Sequence, residues 1–262
     1  MTADRRVTGR PRKLTEDDII DAVLEEGFAG ITVPAVARRL GVSTMTLYRY
    51  TPTRTDLLSL AWDHVITTTH WPPITGPWRH ILDTQAVALW QLLARHPGVV
   101  TELSRSLMPP EMMNRIDDLA VALVDRGFTA KDAVLSVDLV IDLTIDHRRG
   151  VESFDGFVDI PATREAMARL WAPNDADPPS RRAVRAAMTN AITLTPFDWF
   201  SQKLDLALEG IEARFGKAHE GAAPGGPGSS LEDPNRLMTG LGDEVLEDEQ
   251  PCTGVADMGG LA

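Results

Sequence analysis

Apolar residues recur at spacings of three and four along most of the chain, and strand-like alternation is missing, so the pattern predicts helices from end to end. Ile19, Ile20, Val23 and Leu24 share one helix face, opened by the capping residues Thr15 and Asp18 and closed by Gly27 and Gly30. Thr32 caps a second helix with Pro34 in its first turn and Val36, Ala37 and Leu40 inward. Gly41 ends that helix through a left-handed turn, and Ser43 caps a third over Thr44 to Tyr50. Leu57, Leu58, Ala61, Trp62, Val65 and Ile66 then predict a fourth helix from Thr53 to about His70. Pro72, Pro73, Gly76 and Pro77 break the pattern and mark a junction.

Beyond the junction the spacing predicts helices over 78–95, 99–107, 110–126 and 130–152, the last apolar on most sides and so covered on more than one face. Residues 153–180 read as irregular apart from a short helix over 163–171, and 181–191 reads as another. The last helix, 196–215, places Phe197, Phe200, Leu204, Leu208 and Ile211 on a packing seam. The expected fold is all-α: an N-terminal three-helix domain over 15–60 and a C-terminal helical domain over 61–216, flanked by a flexible arm (1–14) and a disordered tail (217–262).

Charge sharpens this division. The protein has 262 residues and a formal net charge of -12. Its first 13 residues nevertheless hold Arg5, Arg6, Arg10, Arg12 and Lys13 against Asp4, whereas the tail sets nine acids against Lys217 and Arg236. The basic arm suits phosphates or a minor groove, and also suits a plain solvated leader. No apolar run reaches the roughly 20 residues of a membrane helix. The single cysteine, Cys252, excludes an internal disulfide and points to a reducing cytoplasm.

The stretch between Thr32 and Thr55 reverses the overall charge, with Arg38, Arg39, Arg49 and Arg54 and no acid. Two short helices joined at Gly41 form a helix-turn-helix, and Thr44, Met45 and Thr46 at the head of the second, with Tyr48 a turn on, have side chains that reach base edges and thymine methyls. Hydroxyls at a helix start are equally ordinary caps.

The same residues carry a family resemblance. Ala37, the run Leu40 to Ser43, Thr46 to Tyr50 and Asp56 to Leu58 resemble the DNA-binding domain of tetracycline-repressor-like (TetR family) regulators, and the resemblance extends more weakly over 12–216. It implies phosphate contacts from Thr32, Ser43, Tyr50 and Arg54 and base contacts from Thr44, Met45, Thr46 and Tyr48. It also implies a homodimer joined by a four-helix bundle from the helices over 130–152 and 196–215, matching palindromic double-stranded DNA. A small-molecule pocket is implied among the fourth, fifth and later helices. There His70 and Gln85 match polar ligand-holding positions, Leu89 follows Gln85 by four residues, and Asp142 replaces a histidine. Asp138, Asp142 and Asp146 form a helix stripe that reads either as pocket carboxylates or as an exposed edge. Three positions depart from the pattern. Pro34 stands in place of a polar DNA contact, Thr51 in place of a bulky apolar residue, and Arg54 in place of lysine.

The expected function is a ligand-responsive transcriptional repressor, needing no cofactor or metal. A helical adaptor that has lost DNA binding would carry acids between Thr32 and Thr55. An all-α enzyme would need a catalytic motif, and there is no GxGxxG, GxSxG, P-loop or metal-spaced His/Cys cluster; Asp146 beside His147 reads as a chance adjacency.

Overall fold

The computed structural model describes residues 14–105, 109–155 and 160–220. Among them it has eleven helices and no strand: α1 (Glu16–Glu26), α2 (Val33–Arg39), α3 (Thr44–Tyr48), α4 (Arg54–Thr68), α5 (Trp78–Arg95), α6 (Val99–Leu103), α7 (Pro110–Val124), α8 (Ala130–Asp155), α9 (Ile160–Leu170), α10 (Pro179–Thr193) and α11 (Pro196–Glu220). The helix starts follow the sequence. Thr15 with Asp18, and Thr53 with Asp56, are reciprocal capping boxes at the heads of α1 and α4.

Several boundaries differ from expectation, among them α6, which ends at Leu103 where a helix to 107 was expected. α3 stops at Tyr48 because Tyr50 and Thr51 both donate their backbone N–H to the Leu47 carbonyl at 2.9 and 3.0 Å, closing a turn before Pro52. α8 continues through Asp155 and α9 begins at Ile160, three residues before the expected 163, so the helices reach further into the stretch expected to be irregular. α11 runs past 216 to Glu220; the rest of the acidic tail and the basic arm lie outside the described residues.

Two apolar clusters hold the helices together. The first joins Ile19 and Val23 of α1, Val36 of α2, Leu47 of α3 and Trp62 of α4 to Leu92 and Leu93 of α5 and to Val99, Val100 and Leu103 of α6. Trp62 is wholly buried, edge-on to Phe28 and His96 with each pair of rings 5.8 Å apart. Gly98 makes this junction possible. Its φ is +93°, and a Cβ there would lie 2.5 Å from the Ala29 backbone nitrogen, so only glycine lets the two segments touch.

The second cluster packs the other face of α5 against α7, α8 and α11 through Ile81, Leu82, Leu123, Val137, Phe200 and Leu204. Phe128 stacks on Phe215 at 4.3 Å, and Trp90 meets Phe197 at 5.0 Å. Trp78, Trp90, Phe128, Phe197, Phe200 and Phe215 thus belong to this cluster, whereas Trp171 and Trp199 stay exposed.

Candidate nucleic-acid interface and buried pocket

α2 and α3 meet through Gly41, whose φ of +66° makes the turn, and Leu47 anchors α3 with no exposed surface. With Leu47 inward, the opposite side of α3 must face solvent. Met45 is 71% exposed, and Tyr48 and Tyr50 are exposed beside it. Thr44 and Thr46 are half-buried, Thr32 and Ser43 exposed. Thr32 Oγ1 accepts from the Ala35 N–H at 3.3 Å and Ser43 Oγ from the Thr46 N–H at 3.1 Å, so both hydroxyls are caps. Each cap uses the hydroxyl oxygen as acceptor and leaves its O–H to donate to a phosphate, for Ser43 when Thr46 Oγ1, 2.9 Å away, is the donor between the two.

The four arginines are not equivalent. Arg39 pairs with Glu25 at 2.9 Å and Glu26 at 2.8 Å, on an exposed surface where such pairs are weak. Arg54 is engaged far more firmly. Its Nε donates to the Ile31 carbonyl at 3.0 Å, and its two terminal nitrogens donate to the Glu102 carboxylate at 2.6 and 3.0 Å. The hydrogen bond from Arg54 holds the Glu102 carboxyl below the usual carboxylate range, and the same bond raises Arg54. The guanidinium expected to face a phosphate thus has three of its five N–H donors engaged within the protein. Among the described residues Arg38 and Arg49, both exposed, carry no ion-pair partner. The departure at Thr51 is also explained. Thr51 is 4% exposed, and its hydroxyl donates to the Leu47 carbonyl at 3.4 Å.

α4 leads from this surface to a cavity between α5, α7 and α8. Trp71, Gln85, Leu89, Met112, Arg115 and Val140 are among its walls, and its free volume is about 20 Å³, room for a single water. Gln85 is buried, donates from Nε2 to the Pro72 carbonyl at 2.8 Å and accepts from Arg115. The guanidinium carbon of Arg115 lies 3.8 Å from the centre of the Trp71 ring. Trp71 Nε1 in turn donates to the Ile66 carbonyl near the end of α4, at 2.9 Å.

Of the four expected pocket residues, Gln85 and Leu89 line this cavity and His70 and Asp142 do not. His70 is exposed and borders a separate shallow hollow with His64 and His96. It falls two residues past the end of α4, which carries it round to the outer side. Asp142 is exposed on α8; partial desolvation and then Asp138 and Asp146 raise its pKa, as for an edge stripe of like charges. Arg115 and Glu102 were missed by the sequence reading. Nothing in the local spacing around either residue assigns it a partner far along the chain.

A wider cleft of about 510 Å³ lies between α8, α9, α10 and α11, with Leu143, Met167, Ile192 and Trp199 in its walls. His147 at its edge shares a hydrogen bond of 2.8 Å between Nε2 and the Pro196 carbonyl, and burial lowers its pKa. Asp146 turns instead to Arg149 at 2.5 Å, so the neighbours form no acid–base pair. Among the described residues no three His, Cys, Asp or Glu side chains converge to hold a metal, and no helix is long and apolar enough to cross a membrane.

Known proteins resemble the chain in both sequence and structure. Residues 9–54 match the helix-turn-helix domain of resolvase. The chain is 26% identical to the HTH-type transcriptional repressor DrrR1 of Streptomyces coeruleorubidus over 85% of its own length and 86% of that protein's. It is 29% identical to an HTH-type transcriptional regulator of Saccharopolyspora erythraea over 64% of its length and 73% of that protein's. Among solved structures, the Streptomyces coelicolor TetR family protein ActR in complex with actinorhodin superposes with a TM-score of 0.68 at 19% identity, covering 79% of this chain and 99% of that one.

Proposed function

We infer that this chain, whose fold is that of the TetR family regulators, is a ligand-responsive DNA-binding transcriptional repressor. It binds operator DNA as a homodimer and leaves it when a small molecule enters the second domain. The observation that carries this reading is Met45, 71% exposed in a stretch from Thr32 to Thr55 that contains no acid and in which, among the described residues, Arg38 and Arg49 are free of ion pairs, in a chain of net charge -12. An apolar side chain on so cationic a surface suits a major groove, where it meets thymine methyls while arginines meet phosphates.

In this assignment Thr44, Met45, Thr46 and Tyr48 face base edges, and Thr32, Ser43 and Tyr50 face phosphates, joined by Arg38 and Arg49 in place of Arg54. Dimerisation is supported by apolar side chains left open on two neighbouring helices: Leu139 (47% exposed) on α8, and Trp199 and Leu206 (70%) on α11. Two such faces, one on each copy, bury each other in an isologous contact. The ligand acts through α4, which begins beside α3 and ends where Trp71 holds Ile66, by binding unequally to two settings of that helix.

Selection of bound duplexes from random DNA by the purified full chain tests this. The expected result is a palindromic site whose affinity falls with salt, with a slope shallower by about one phosphate when Arg49→Ala is introduced. Failure to bind any duplex at low salt refutes the reading.

A further inference from the structure

We propose that the cavity between α5, α7 and α8 takes a flat, largely apolar molecule bearing one acidic group, and that this group docks on the Arg115 guanidinium. Eight of the neighbours of Arg115 in the cavity wall, Leu82, Ala86, Leu89, Met112, Leu119, Val137, Val140 and Ile141, are apolar. Its polar partner is the neutral amide of Gln85, itself 4% exposed and pinned to Pro72. Among the described residues no carboxylate lies within ion-pair distance of this half-buried arginine, in contrast to the buried Arg148, which has Glu152 at 3.5 Å.

Asp118 acts on Arg115 only from a distance, and a cation in an apolar wall with no carboxylate in contact is costly unless something negative completes it. Burial lowers the Arg115 pKa to about 10, which leaves it protonated at neutral pH. A carboxylate, sulfonate or phenolate entering the cavity meets a guanidinium already stripped of much of its water and pre-set by Gln85, so the pairing is charge-assisted and two-pronged. A cationic ligand is repelled, and a neutral one leaves Arg115 as it was.

Shape follows from how the cavity opens. With about 20 Å³ free, nothing larger than water fits until a wall moves. Every other wall residue stands on α5, α7 or α8, whereas Trp71 stands on the segment between α4 and α5. The Arg115 guanidinium carbon lies over its ring at 3.8 Å, so a planar ring that displaces the indole inherits the same cation–π site. Because Trp71 Nε1 holds the Ile66 carbonyl, displacement pulls on the end of α4. This consequence, unlike the ligand chemistry, rests on the regulator reading above.

The test uses the full chain and two dyes that differ by one group, anilinonaphthalene sulfonate and the neutral N-phenylnaphthylamine, with affinities read by fluorescence titration. The sulfonate is expected to bind about 10- to 100-fold tighter. Arg115→Met is expected to remove that preference without weakening the neutral dye, and Arg115→Lys to keep part of it. If Arg115→Met fails to fold, Arg115→Gln, which retains a donor toward Gln85, is read in the same way. Equal affinities in the wild type, or a sulfonate preference that survives loss of the charge, overturns the proposal. DNA takes no part in these titrations, so a protein that binds duplex without preferring the sulfonate loses this proposal alone. One that prefers the sulfonate but ignores duplex loses the regulator reading alone.

Discussion

Replacing Glu102 by alanine tests the clamp at the head of α4. The carboxylate is 7% exposed and takes both prongs of Arg54, with a further contact to Arg105 at 3.2 Å. Removing one partner of a buried pair typically costs about 3–5 kcal/mol because the other charge is stranded. Arg54, however, remains 35% exposed, so water recovers part of the loss and the expected cost is about 2 kcal/mol. For a domain of this size that lowers Tm by roughly 4–8 °C, readable by circular dichroism. The pH dependence adds a second readout. Glu102 is depressed in the folded state, so its contribution is fully present above the unfolded carboxyl pKa of about 4.3 and is lost as pH falls through the folded value. The gap between wild type and Glu102→Ala should be full at pH 7 and close in the acid range. Arg54→Ala should weaken DNA binding as Glu102→Ala does, by misplacing α4, with the salt slope unchanged. An unshifted Tm for Glu102→Ala refutes the clamp, and a slope shallower by about one for Arg54→Ala restores the phosphate contact.

Two further outcomes are expected. Gly98→Ala should destabilise the chain by more than about 2 kcal/mol, since the new methyl meets the Ala29 backbone and the φ of +93° disfavours any side chain; a Tm within a degree of wild type refutes this. Leu206→Glu, placed on the open face of α11, should leave the helical content intact while light scattering shows a monomer and duplex affinity collapses; a dimer that persists sends the interface elsewhere.

Much of this molecule is legible in its sequence because helix starts and stops are written in local chemistry. Thr15, Thr32, Ser43 and Thr53 each cap the helix expected of them, and Gly41 makes the expected turn. What escapes is whatever depends on partners far apart in the chain. Arg54 looks like a phosphate ligand until Glu102, 48 residues away, is seen to take its fork. His70 and Asp142 align with pocket positions, yet where α4 ends and how α8 is turned place both on the outside. Arg115 carries no local mark, because its character comes from the absence of a carboxylate in three dimensions.

The first apolar cluster runs without a break from α1 through α4 into α5 and α6. Transplanting only residues 15–60 into a relative would sever Phe28 from Trp62 and His96 and leave Ile19 and Val23 half-covered. A working chimera would have to carry the corner around Gly98 along with the recognition helix, so the natural unit of exchange in this protein ends near Leu103 and not at the junction before α5.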